Sequence, residues 1–290
     1  MTGSSIALGF FDGVHIAHQK IIQSAVDFSR INGLMPIALT FDRSPLEMLS
    51  PGNISYITSA QEKAELIKSL GAAAEFLPLS KELLSMSPEE FVKEILVNKF
   101  NIKHAVCGYN YRFGKNGSGD TYTLTELGKK YGFGVEICDE ITLDGENVSS
   151  SNIRSLLNDG NISLTNKLLG YNYYLKGTVT KGKHLGSKLG FPTANVFFPE
   201  KSATPLCGVY KTIVTVNGNK FPAITNVGIN PTVGGEKMRS ETYIPDFSED
   251  IYGKEINIEF INFIRKETKF ENLEMLKKQI NKDVNIIKKG

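Results

Sequence analysis

Cysteine is scarce: Cys107, Cys138 and Cys207 are the three in 290 residues, odd in number, far apart and without a Cys-x-x-Cys pair. That excludes a disulfide framework and a cysteine zinc site, and it reads as buried thiols of a reducing compartment. A charge excess of one sign is also missing, since 33 basic and 31 acidic residues leave a formal net charge of +2. A dedicated nucleic-acid surface is therefore not expected, although that balance is compatible with a local basic patch. No apolar run approaches the roughly 20 residues that span a bilayer. The start, Met1-Thr2-Gly3-Ser4-Ser5, lacks the basic and apolar regions of a signal peptide. The expected setting is the cytoplasm, with no nucleic-acid and no membrane partner. Internal repeats and low-complexity tracts are absent as well.

The chain is long enough for one large or two ordinary domains at roughly 100–200 residues each, and its pattern changes midway. Residues 6–140 alternate short apolar runs with helical spacing. Ile6–Gly9, Met35–Phe41, Lys103–Gly108 and Phe133–Cys138 read as strands. Ile16–Arg30, Ser59–Leu70 and a segment near Tyr122–Tyr131 read as helices, with Gly33 and Gly71 as stops. Ser87-Pro88-Glu89-Glu90 has the form of a capping box with Pro at the first helical position. Strands alternating with helices imply parallel pairing and an α/β layer fold.

From about Tyr173 the segments Tyr174–Thr180, Val209–Val216, Lys220–Asn226 and Ile256–Phe263 are strand-like, and Asn217-Gly218 marks a tight hairpin. Antiparallel strands with Gly and Pro turns predict a small closed barrel. A terminal amphipathic helix with Leu273, Leu276 and Ile280 on one stripe is expected to pack on it. Asp159-Gly160-Asn161 is a candidate hinge, and the domains are expected at 1–168 and 169–290.

Two stretches carry chemistry. In Leu185–Asn195, glycines and lysine run into Pro192, and Thr193 and Asn195 follow two positions apart, on one face of an extended segment. Glycines permit close approach to a phosphate, and hydroxyl and amide oxygens suit a hard cation such as Mg²⁺. A nucleotide–metal site and a surface hairpin with a proline corner are equally good readings of these residues alone. In Gly9–His18, a strand runs directly into a helix that carries His15 and His18 three positions apart. A helix start at the carboxyl end of a strand suits a polyphosphate. A His-x-x-His metal site ranks lower because no third ligand is evident.

Phe11–His18 is similar to the Gly-Asn-Phe-Asp-Gly-Val-His-x-Gly-His signature of bacterial bifunctional riboflavin kinase/FAD synthetases. Cys107–Gly114 and Val148–Arg154 resemble two further segments of that family. Leu185–Asn195 resembles its kinase motif Gly-x-x-Leu-Gly-Phe-Pro-Thr-Ala-Asn. Gly208-Val209-Tyr210, Asn226-Val227-Gly228, Glu241 and Ile264-Arg265-x-Glu267 follow in the family's order, so the resemblance covers nearly the whole chain.

The resemblance implies a Rossmann-like nucleotidyltransferase domain of the HIGH-motif class, followed by a riboflavin kinase barrel with a terminal helix. It implies riboflavin, FMN and ATP as small-molecule substrates, FMN as the intermediate and Mg²⁺ as cofactor. Glu241 takes the place of the kinase base. Thr193 and Asn195 would hold Mg²⁺ and phosphates, with Gly182, Gly186, Gly190 and Pro192 around the nucleotide. Gly9, Phe11, Asp12, Gly13, Ser150 and Ser151 would bind the adenylyl donor, with His15, His18 and Arg154 stabilising pyrophosphate. Asn110, Arg112, Tyr210 and Arg265 would contact flavin.

The kinase motif is whole, whereas the transferase motif is altered. Phe10 stands for an Asn, Ala17 for a Gly, Asn110 for an Asp and Ser151 for a Thr, and Asp42-Arg43-Ser44-Pro45 replaces a Pro-His-Pro-type turn. The expected function is both steps of FAD synthesis. The alternatives are a riboflavin kinase with a weakened transferase domain and a flavin- or nucleotide-binding regulator without turnover.

Overall fold

The computed structural model describes residues 2–45, 47, 54–182, 190–232 and 235–288. The chain forms two compact units, Met1–Ser150 and Ser151–Gly290. In the first, β1 (Ser4–Leu8), β2 (Met35–Phe41), β3 (Ala73–Leu77), β4 (Ile102–Gly108) and β5 (Gly134–Cys138) make a parallel sheet in the order β3-β2-β1-β4-β5. Central β1 is buried along its length, and its alternation sorts side chains by size. Ile6 and Leu8 point into one core with Leu39, Leu96 and Leu124. Ala7 points the other way, into a core with Ala38, Ile22 and Ala25. The small residues leave room for α1 (Ile16–Asn32) to lie close to the sheet. Each wholly buried Ile or Leu contributes about 1.5–3 kcal/mol.

The helix ends follow the sequence. Gly33 closes α1 in the left-handed conformation, at φ 65°. Ser59 and Glu62 form a capping box at α2 (Ala60–Ser69), and Ser87 and Glu90 form a second one. The helix opened by Ser87 departs from expectation. After Pro88–Glu90 it winds into a π-helical stretch, Phe91–Lys99, an irregularity that a 3.6-residue pattern does not reveal. A short hairpin, β6 (Thr142–Leu143) with β7 (Glu146–Asn147), follows β5. Cys107 and Cys138 are buried as expected, and burial pushes the Cys107 thiol up to about 12. Cys207 is only half-buried, which corrects the expectation for all three.

In the second unit, β8 (Tyr174–Thr178), β9 (Thr193–Phe197), β10 (Gly208–Val216), β11 (Asn219–Thr232), β12 (Gly235–Tyr243) and β13 (Glu255–Arg265) form an antiparallel sheet in the order β8-β13-β10-β11-β12-β9. Just past β8, Thr180 N donates to Asn195 O of β9 at 2.8 Å, so the two edges meet and nearly close a barrel. Asn217-Gly218 joins β10 to β11 with both residues at positive φ, 49° and 82°, the two-residue hairpin its sequence predicts. A buried hydroxyl ladder crosses the inward face: Thr212 Oγ1, Thr225 Oγ1 and Thr242 Oγ1 are linked at 2.9 Å each. These hydroxyls satisfy one another, which lets polar residues stand in the core.

The terminal helix, Leu273–Lys288, packs with the expected stripe at Leu276 and Ile280, which are half-buried, and continues it to Val284 and Ile287; only Leu273 departs. Leu273 is exposed, while Val284 and Ile287 join Val209, Ile224 and Ile264. Leu273 is the first helical residue, before the helix face meets the barrel. Arg265 fixes that docking by gripping buried Asp283 through Nε at 3.1 Å and a terminal nitrogen at 2.8 Å.

Candidate active sites

At the carboxyl end of β1, residues 9–18 form a turn whose parts brace each other. Phe11 adopts φ 55° and is wholly buried, its ring edge-on to His18 at 5.2 Å. A Cβ at Gly9 would stand 2.7 Å from that ring, so the glycine is required by Phe11 packing. Buried Asp12 faces inward, where Oδ1 accepts from Ile57 N at 2.9 Å and Thr58 N at 3.3 Å. Gly13, at φ 76°, donates its N–H to Thr58 Oγ1 at 3.1 Å. Ser150 Oγ donates to Asp12 O at 2.9 Å.

The two histidines do face together. Their rings stack at 3.5 Å and 17°, and His15 caps α1 by accepting the His18 N–H at 3.4 Å on Nδ1. That acceptor role puts the proton of a neutral His15 ring on Nε2. Burial, then the neighbouring His15 and Lys63, hold His18 well below the ordinary histidine range, so its ring is neutral at pH 7. His18 Nδ1 is buried and has no hydrogen-bond partner among the described residues. The stacked pair thus stands at a helix start with a neutral His18, an arrangement open to an anion.

Lys63 of α2 belongs to none of the sequence motifs. Its ammonium is buried behind this turn and donates to Phe10 O at 3.0 Å, Phe41 O at 3.2 Å and Thr40 Oγ1 at 3.3 Å. It stands 4.1 Å from the Phe10 ring, which seats the residue found in place of asparagine. Burial brings its pKa down to about 8 despite Asp12 and Asp42. The signal was legible: Lys63 occupies an otherwise apolar stripe with Leu66, Ile67 and Leu70. Asn110 and Arg112 follow β4 and are exposed, with Arg112 3.8 Å from Asp120. Ser151 and Arg154 fall in the second unit, where Arg154 donates to Ser151 Oγ at 3.3 Å.

The second site is built by strand register. Asn195 of β9 lies opposite Glu241 of β12, and Glu241 lies opposite Asn226 of β11, so three polar side chains share one row on the outward face. Thr193, two residues before Asn195, shares that face. Asn195 is buried; its Nδ2 donates to Thr193 O at 3.2 Å, and a Cβ at Gly182 would stand 2.5 Å from that nitrogen. Glu241 is ion-paired with Arg239, which lies outside the sequence motifs. Asn226 donates to Glu267 at 3.0 Å. Beside Thr193 opens a cavity of about 300 Å³ walled by Val179, Ile244, Phe247 and Ile251, with Pro192 and Tyr252 at its lining.

The remaining candidates are dispersed. Gly190 sits at φ 85° in an exposed turn, and Gly186 lies outside the described residues. Tyr210 is wholly buried: its hydroxyl donates to Leu206 O and its ring packs on Phe260 and Phe263, at 5.3 Å and 5.2 Å. Burial pushes that phenol well above its ordinary range. The resemblance puts Tyr210 against flavin, whereas the structure gives it a place in the barrel core. Arg265 is likewise engaged with Asp283.

A family model described as FAD synthetase matches residues 1–152, and one described as riboflavin kinase matches residues 169–290. Three relatives are described as bifunctional riboflavin kinase/FMN adenylyltransferase. That of Listeria monocytogenes is 38% identical over 284 residues, 96% of this chain and 89% of that protein. The Bacillus subtilis protein is 35% identical over 289 residues, 97% and 90% of the two chains. The Escherichia coli K12 protein is 31% identical over 284 residues, again 97% and 90%. A crystal structure described as a macrolide-efflux protein from Streptococcus pneumoniae superposes with a TM-score of 0.91 at 29% identity, covering 99% of this chain and 95% of that one. Among the described residues no helix is long and apolar enough to cross a membrane.

Proposed function

The chain belongs to the bifunctional riboflavin kinase/FMN adenylyltransferase family, and from that premise we propose how its residues divide the two reactions. It phosphorylates riboflavin to FMN and adenylylates FMN to FAD, with ATP as the donor in both steps. Relatives that carry both activities along nearly their whole length favour this over a kinase alone.

In the kinase step the ribityl hydroxyl attacks the γ-phosphorus, the bond from that phosphorus to the β-bridging oxygen breaks, and ADP leaves. An alcohol is a poor nucleophile at neutral pH, and Glu241 is the group that takes its proton. Arg239, ion-paired with Glu241, holds the carboxylate in the row beside Asn195 and Asn226. The row Asn195–Glu241–Asn226 is the observation that carries this reading. The cavity walled by Val179, Ile244 and Phe247 suits the adenine ring, next to Thr193. The donor set fits Mg²⁺, because Thr193 and Asn195 offer a hydroxyl and an amide oxygen, hard ligands that complement phosphates and water. When bound, the ion draws charge from the transferring phosphates. Gly182 lets the loop backbone lie against Asn195, and Gly186, Gly190 and Pro192 complete the proposed nucleotide side.

In the adenylyl step an FMN phosphate oxygen attacks the α-phosphorus, the α–β bridging bond breaks, and pyrophosphate leaves. This nucleophile is already ionised near pH 7, since a phosphate monoester has a second pKa of about 6. No general base is required, and catalysis rests on position and on charge stabilisation. His15 and His18 donate to the departing pyrophosphate, with Gly9, Phe11, Asp12 and Gly13 holding the turn and Ser150 bracing it. Ser151 and Arg154 carry a phosphate role by their motif, and Asn110 and Arg112 a flavin role. We place the enzyme in the cytoplasm, where thiols such as Cys107 stay reduced. Incubation with riboflavin, ATP and Mg²⁺ should yield FMN and then FAD; absence of both products overturns the assignment.

A further inference from the structure

We infer that Lys63 is a positioning residue for adenylyl transfer, its buried ammonium shielding the nucleotide phosphates from the oxygens at the carboxyl ends of β1 and β2. The inference rests on the adenylyltransferase reading of the first unit. Two main-chain oxygens, Phe10 O and Phe41 O, stand where the chain leaves the sheet, with Asp12 and Asp42 beside them. In an open α/β sheet that crevice is where ligands bind. Left alone, these oxygens repel a polyphosphate.

The ammonium has three protons and three acceptors, Phe10 O, Thr40 Oγ1 and Phe41 O. None remains for substrate, so Lys63 acts through its charge and through the loops it holds. A hydrocarbon side chain would fill the same stripe without the several kcal/mol that burying an ion costs. Clamping two carbonyls is the purely structural alternative, and it makes no demand on the charge near substrate.

The titratable groups that face the ammonium are Asp12 after β1, Asp42 after β2 and His18 on α1; Phe76 of β3 offers only a ring, at 5.4 Å. With burial bringing the amine to about 8, the charge disappears on mild alkalinisation. The sign for stability is opposite to that for activity. An unfolded lysine keeps its proton to about 10.4. Between these pH values the unfolded chain keeps a proton on Lys63 that the folded chain has lost, so this residue's own contribution to folding rises with pH. Cys107, held up at about 12, acts in the opposite sense above its ordinary value of about 8.5, so thermal unfolding is followed at each pH beside activity.

The test follows FAD formation from FMN and ATP between about pH 6.5 and 9.5 for the wild-type chain, Lys63→Met and Lys63→Arg. FMN formation from riboflavin by the same preparations is the reference. In the wild type, kcat/KM for ATP in FAD formation should fall about tenfold per pH unit above about 8, as for loss of one required proton, while FMN formation does not follow. Lys63→Met should raise the ATP KM of FAD formation at pH 7 by about tenfold or more and abolish the alkaline limb. Lys63→Arg should restore the KM and carry activity past pH 9. A wild type without the alkaline limb, or a Lys63→Met chain with an unchanged KM, overturns the inference while leaving the adenylyltransferase reading intact. Equal losses in both variants that track thermal unfolding assign Lys63 to packing alone. If the variants do not fold, the wild-type limb decides. A wild type that makes FMN but no FAD removes the adenylyltransferase reading and this inference with it.

Discussion

In the first unit the candidate residues crowd into one turn, Gly9–His18, whereas in the second they stand on separate strands and meet through register. The turn is held by groups that bind each other: Asp12 takes two main-chain N–H groups, Ser150 holds Asp12 O, and His15 caps α1. The strand row instead keeps Asn195, Glu241 and Asn226 side by side because β9, β12 and β11 pair as they do. A site made by a turn is sensitive to each residue's own conformation, and Phe11 at φ 55° is an example. A site made by register is sensitive to the barrel as a whole. The contrast bears on the altered transferase motif. Phe10 is accommodated by Lys63 in this chain, so an altered turn is still a braced one.

The largest expected effect separates the two sites. Glu241→Gln should lower kcat for FMN formation by about 10²–10⁴, the usual contribution of a general base, and leave FAD formation from FMN unchanged. Next, His18→Ala should lower FAD formation by about 10²–10³, as for loss of one transition-state donor, with riboflavin phosphorylation unaffected; steady-state product analysis reads both. Asp283→Ala tests whether the terminal helix belongs to the barrel's stability. It strips the half-buried Arg265 of its partner, and calorimetry should show a loss of about 2–3 kcal/mol in the second unit only. Thr225→Val breaks both links of the hydroxyl ladder and should cost about 1–2 kcal/mol by denaturant titration. Equal destabilisation of both units by either change would break the comparison.

Legibility in the sequence followed the same division. The first unit was readable because each physical rule acts locally: alternation in β1, a glycine stop at Gly33, capping boxes at Ser59 and Ser87. The π-helical Phe91–Lys99 escaped because its hydrogen bonding leaves no mark on apolar spacing. In the barrel, β12 went unread since its residues are polar on both faces. Arg239 and Glu241 serve the outward row, and Ser240 and Thr242 face in, where hydrogen bonds satisfy them. Tyr210 shows the limit of motif transfer, for its neighbourhood in the motif says nothing of which way the ring turns; Phe260 and Phe263 decide that. Lys63 was visible as a charge on an apolar stripe, yet its meaning depends on Phe10 and Phe41, which are distant in sequence.

The central claim is that one chain carries two independent sites, and the most direct test measures both products with Glu241→Gln. Supplied with riboflavin and ATP, this variant should make almost no FMN; supplied with FMN and ATP, it should make FAD at the wild-type rate. Equal loss of both products, or FMN formation at the wild-type rate, would contradict the account.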